Sequence, residues 1–308
     1  MRWPWLLLLG VLLGGCNADE DGRNCQVHLV ASLPLLTGGP LPAVEASLDG
    51  RKVVFYVDTG AVTSLVTPEA VRQFDLYAGF SDGRATIRGI GGPVSVPIVT
   101  IHSLVLGHGL ARNIALPVAG ELGGPVQGMP VIGLFGADFL SNYDVDVDLP
   151  GHHFGLYDLQ GCGRDIQPIA PPFFEVPFRL ENTKIVLDLK LDDTPMTAFL
   201  DSGAMRTLVS RDDARRAGVT TQAMAGDRAG RAIGIDANPV DMRLHRFASL
   251  EIGSERMHNF PFAVGDIDDS LLGGDFLRFN RVWISYPRRK LFIRPSLKPA
   301  GITASPSA

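Results

Sequence analysis

The chain has 308 residues, 45% of them hydrophobic, with 35 glycines and 22 prolines. That is material for a sizeable core with many turns, in one large β-rich unit or in two lobes. A formal net charge of −5 and a pI near 5.8 exclude a general nucleic-acid binder, which needs a basic stripe that the sequence lacks.

Residues 1–15 join a basic start to an apolar run from Trp5 to Leu13. The run is too short to cross a bilayer as a helix, which takes about 20 residues. "LGGC", ending at Cys16, resembles the lipobox of bacterial lipoproteins, in which the chain is cut before the cysteine and lipid is joined to its sulfur. The resemblance implies a signal peptide over 1–15, a lipid on Cys16, a tether over 16–39 and a place in the bacterial periplasm or cell envelope, held to a membrane by acyl chains. An ordinary cleaved signal peptide with Cys16 incidental is the alternative. Export leaves Cys25 and Cys162 where disulfides persist, so a bridge between them is expected, against two unpaired thiols.

The next stretch, "FYVDTGAVTSLVTPEAV" over 55–71, drives an apolar strand into a carboxylate, Asp58. Asp is seldom buried unless paired. A tight turn at Gly60 and a second short strand follow, then a helix capped by Thr67 with Pro68 at its first position. Partial alternation over 92–109 predicts hairpin strands. In "LFGADFLSNYDVDVD" from Leu134, Asp138 is expected to cap a short helix or turn. Asp144, Asp146 and Asp148 share one strand face, read as solvated rather than as a calcium site. His152 and His153 read as a solvated turn, and no metal or cofactor is expected.

A Gly- and Pro-rich linker over 161–175 separates this lobe, 40–160, from a second, 176–295. "MTAFL" predicts a strand ending at Asp201. Ser210 caps a helix, with Asp213 three residues on and Gly218 as its stop. Hairpin strands are expected again over 238–255, a solvated basic turn at Arg288, Arg289 and Lys290, and a tail over 296–308.

The second lobe repeats the first. At an offset of 143, Asp58 falls on Asp201, Gly60 on Gly203, Ala61 on Ala204, Leu65 on Leu208 and Thr67 on Ser210. At 137, "LFGADFL" falls on "LLGGDFL" and Asp138 on Asp275. Asp201 is therefore the expected partner of Asp58. Two carboxylates held together cannot both ionise easily, so one proton is shared. The ionised member can take a proton from water while the other donates to a developing oxyanion, the pattern for which aspartic proteases are the standard example. Gly60 and Gly203 let backbone N–H groups approach the carboxylates, and Thr59 and Ser202 add hydroxyls able to bond across the halves.

Asp-Thr-Gly-Ala and Asp-Ser-Gly-Ala, each after an apolar strand, resemble the signatures of retropepsin-like aspartic proteases. "LFGADFL" and "LLGGDFL" resemble the element that passes behind the catalytic loop in that family. "ATIRGIGGPVSV", 85–96, resembles its flap. The resemblance implies an all-β, bilobal acid-protease fold, two pseudo-twofold-related β-barrel lobes with one or two short helices each. It implies an aspartic endopeptidase with Asp58 and Asp201 as catalytic dyad. Thr59, Gly60, Ala61, Ser202, Gly203 and Ala204 would support the loops, and Gly89, Ile90, Gly91 and Gly92 would close over a polypeptide substrate. Retroviral enzymes pair two identical chains, whereas this chain carries both halves and is expected to act as a monomer. The second lobe's counterpart, "AIGIDANPVDM", lacks the glycine run. A non-catalytic peptide-binding lipoprotein that retains the fold is the alternative.

Overall fold

The computed structural model describes residues 25–76, 83–89, 92–163, 166–234 and 239–296. The segment expected to be a signal peptide, Cys16, the expected flap tip at Ile90 and Gly91, and residues 297–308 of the tail lie outside the described residues. Among the described residues strands account for 56% and helices for 8%, so the fold class is all-β, with short helices only.

Each lobe is built around a strand that ends at an Asp. In the first, Arg51–Val57 lies parallel to Val131–Phe135, with Val57 opposite Phe135. Both faces are covered, which is why "VVFYV" is apolar without alternation. Val131–Phe135 also pairs with Leu65–Val66 on its other side, so loop 58–64 must cross over it. The sheet continues through Ala43–Leu48 to the long strand Gly92–Leu106, which Arg84–Gly89 and Gly109–Pro117 flank. The second lobe repeats the crossing: Ser270–Leu272 lies between Thr194–Leu200 and Leu208–Ser210. Its eight-stranded sheet closes on itself where Lys184–Leu191 meets Pro239–Ile252.

The helix starts follow the local signals. Thr67 Oγ1 accepts from Ala70 N at 3.1 Å ahead of Pro68–Phe74, and Ser210 Oγ from Asp213 N at 3.1 Å ahead of Arg211–Arg216. Gly218, at φ +86°, takes the left-handed position just past the second helix.

A third sheet joins the lobes, in the order Gln26–Pro34, His153–Gln160, Asp144–Asp148, Asn280–Ser285, Lys290–Pro295, Phe174–Pro177. Each half supplies three strands, and Asp144–Asp148 pairs with Asn280–Ser285 at the seam. Several expectations are corrected here. Within the segment read as a tether, Gln26–Pro34 is an edge strand, and the linker ends at Phe174, where the last strand of this sheet begins. Asp144, Asp146 and Asp148 are buried, not solvated. Arg281, from the other half, donates to Asp146 through Nε at 2.9 Å and Nη2 at 2.6 Å, and Arg288 lies 3.4 Å from Asp144. Burial of such carboxylates demands these partners. Arg288 is accordingly not a solvated turn residue: it also reaches the carbonyls of Cys162 and Gly163. His153 begins a strand, between Ser32 Oγ at 3.1 Å and Asp146 Oδ2 at 3.3 Å.

Candidate active site

Each Asp is pinned from behind. Asp58 N donates to the Phe135 carbonyl and Asp201 N to the Leu272 carbonyl, both at 2.9 Å, from the residue just before a structural glycine. Those glycines leave room for the crossing loop: a Cβ on Gly136 would lie 2.7 Å from the carbonyl carbon of Thr63, and one on Gly273 2.4 Å from the carbonyl oxygen of Arg206. The loops are tied further by Ala137 N to Ala61 O at 2.8 Å and Gly274 N to Ala204 O at 2.7 Å.

The two loops then grip each other. Thr59 N donates to Ser202 Oγ and Ser202 N to Thr59 Oγ1, both at 3.0 Å. Each hydroxyl in turn donates across, Thr59 Oγ1 to Leu200 O and Ser202 Oγ to Val57 O, both at 2.7 Å. All four bonds are buried, so none can be exchanged for water without leaving an unpaired group.

This grip brings Asp58 and Asp201 face to face. A Cβ on Gly60 would fall 2.3–2.6 Å from the Asp201 carboxyl, and one on Gly203 2.3–2.5 Å from that of Asp58. The glycines thus have a second purpose beyond backbone approach: each occupies the spot against which the opposite carboxyl rests. One oxygen of each acid is held by two N–H groups, Gly60 at 3.0 Å and Ala61 at 2.9 Å for Asp58, Gly203 at 2.8 Å and Ala204 at 3.0 Å for Asp201. The carboxyls also hydrogen-bond one another. Burial raises both, and the charge of Asp58 pushes Asp201 further, to about 8. Such a pair can hold one proton and act as base and acid at once.

Sequence reasoning missed the role of Asp138 and Asp275. Neither is the N-cap of its short helix, a position held by Gly136 and Gly273. Asp138 Oδ1 accepts from Ser64 N at 2.8 Å, Ser64 Oγ at 2.6 Å and Phe139 N at 2.8 Å, and Asp275 Oδ1 accepts from Thr207 N at 2.9 Å and Thr207 Oγ1 at 2.6 Å. They brace the far ends of the two Asp loops. The signal was available in the parallel recurrence of Asp138 with Asp275 and Ser64 with Thr207.

Gly89 pairs with Gly92, so Arg84–Gly89 and Gly92–Leu106 form a hairpin. Its inward residues Ala85, Ile87 and Val96 pack in one apolar cluster with Tyr56 and Ala61, beside the first Asp loop. The second lobe carries a matching hairpin, Arg228–Ile233 with Pro239–Ile252, packed on Leu208 and Leu271. A separate cavity of about 430 Å³ lies beside Phe199 and Asp213, whose carboxylate accepts from Ser210 Oγ and Ser270 Oγ and pairs with Arg216. Cys25 and Cys162 are joined by a disulfide.

Two family models match, one in each lobe: the gag-polyprotein aspartyl protease family over 44–142 and an aspartyl protease family over 187–276. Among curated proteins, none matches the chain. With a signature loop, a crossing strand and a bracing Asp in each of two tandem halves, the chain belongs to the retropepsin-like aspartic proteases.

Proposed function

We propose that this peptidase is an endopeptidase in which Asp58 and Asp201 are the catalytic dyad of a single chain. The contact between the two carboxyls, each seated against the other loop's glycine, supports this reading most directly. An extended peptide would lie as an added strand between the hairpins and the Asp loops. Asp58, ionised, takes a proton from a water held by the pair as the water oxygen attacks the scissile carbonyl, and Asp201 gives its proton to the carbonyl oxygen. Collapse of the tetrahedral intermediate passes a proton to the leaving nitrogen and restores the shared one, so acid and amine products account for peptide plus water.

The leader ending in "LGGC" and the disulfide support export and a lipid at Cys16, hence limited processing of envelope or periplasmic polypeptides. Palmitate incorporation that is lost in Cys16→Ser is the check on the anchor; equal labelling in both proteins would overturn it. For the chemistry, a defined peptide library is incubated with wild type and Asp201→Asn and the fragments are weighed by mass spectrometry. Internal bonds should be cut by the wild type, with a loss of about a thousandfold or more in the variant. Undiminished cutting by Asp201→Asn would overturn the dyad.

A further inference from the structure

The repeat allows every residue beside the dyad to be compared with its counterpart, and the two ends of the site differ in charge. Val62 and Met205 correspond, and both are apolar and open, 42% and 55% exposed. One residue on, Thr63 corresponds to Arg206. Just past the short helices Ala137–Leu140 and Gly274–Leu277, Ser141 corresponds to Arg278, each of them the C-cap of its helix. Arg206 and Arg278 are exposed. Arg278 Nη2 reaches Met205 O at 3.3 Å, so the two guanidiniums flank one stretch of the second Asp loop.

The fold does not require these cations. Thr63 and Ser141 hold the same positions in the first lobe, where the same crossing and the same bracing Asp are in place. Nor are they consumed by local pairing. Among the described residues neither guanidinium forms an ion pair within 4 Å; the charge of Arg206 reaches Asp275, but only from a distance, and Asp275 Oδ1 accepts from Thr207 N and Oγ1. The first lobe presents its counterpart carboxylate, Asp138, with no cation at either position. At these two positions the second lobe therefore carries two positive charges that the first lobe lacks.

We propose that Arg206 and Arg278 select an acidic side chain, Asp or Glu, on one side of the scissile bond, and so fix the direction in which a polypeptide enters. This rests on the endopeptidase reading for its substrate class. The chemistry is a rim contact in which two planar donors meet a carboxylate, shielded by salt but with no counterpart at the other end to cancel it.

The test uses binding, so that it stands apart from turnover. Peptides cut by the wild type are synthesised as twins, Glu against Gln at each position within three residues of the cut. Their affinities are measured by fluorescence anisotropy on the full chain carrying Asp201→Asn. Glu should bind about three- to tenfold tighter than Gln on one side of the bond only, with the difference shrinking at high salt. Adding Arg206→Thr and Arg278→Ser, the residues the first lobe already uses, should make the twins equal. Equal affinities in the parent, a preference on both sides, or a preference that survives the double substitution would overturn the proposal. Loss of cutting by the wild type would instead overturn the endopeptidase reading.

Discussion

Asp58 and Asp201 receive the same pair of backbone hydrogen bonds, yet they do not titrate alike. Burial raises both; the charge of Asp58 then adds to the rise at Asp201, while the bond from Asp201 eases that at Asp58. The two acids therefore titrate as a pair that holds one proton between them. Activity needs one proton on the pair, so kcat/KM should trace a bell. Its alkaline limb should lie near pH 8, where the pair loses its shared proton, and its acid limb above the ordinary carboxylate value of 3.8, where the pair gains a second. Stability follows the same proton. Because the folded pKa of Asp201 is raised, the stabilisation that protonation gives is complete below 3.8 and gone once pH passes about 8. Between those values the urea midpoint of the wild type should fall more than that of Asp201→Asn, whose amide does not titrate. Parallel midpoints, or a rate profile still level above pH 9, would contradict the shared proton.

At the scale of elements, the Asp loops are held at both ends, and the far end is the more exposed to mutation. Ser64 N and Oγ converge on Asp138 Oδ1 from across 74 residues. Removing that acceptor strands an N–H donor, a loss of about 1–3 kcal/mol. Asp138→Ala should lower kcat about tenfold or more with KM little changed, since loop 58–64 would still form but hold Asp58 loosely. Asp138→Asn keeps an acceptor oxygen and should recover most of the rate. Steady-state kinetics beside a denaturation curve separates this from a purely structural role, which would shift the curve and leave kcat per folded molecule intact. The brace also shows where sequence reading stops. Thr67 and Ser210 were legible as caps because each meets a backbone N–H three residues on. Asp138 sits in an equally suggestive local context, before "FL", but the donors that decide its role arrive from a distant loop.

The whole molecule depends on pairings of that long-range kind. The dyad could be read because the repeat itself names the partner of Asp58. The sheet joining the lobes could not: "DVDVD" alternates as a solvated strand would, and only Arg281 and Arg288, contributed by the other half, make its acidic face an interior one. Gln26–Pro34 is not legible as a strand for the same reason, since its ladder partner, His153–Gln160, follows an entire lobe later. That strand has a neighbour on one side only, and its open end, where Gln26 faces Gln160, is closed by the disulfide between Cys25 and Cys162. The bridge spans 137 residues, so its loss would restore to the unfolded chain the freedom of a very long loop. It would also loosen the carbonyl of Cys162, to which Arg288 donates at 3.2 Å on its way to Asp144. Replacing both cysteines by serine should therefore destabilise the protein by about 2–5 kcal/mol, read as a lower urea midpoint, and reductant should do the same to the wild type. Cutting by the molecules that remain folded should continue, because the bridge lies in the joining sheet and neither cysteine belongs to the gripped loops. A midpoint indifferent to both treatments would mean that the edge strand holds by its ladder and apolar contacts alone.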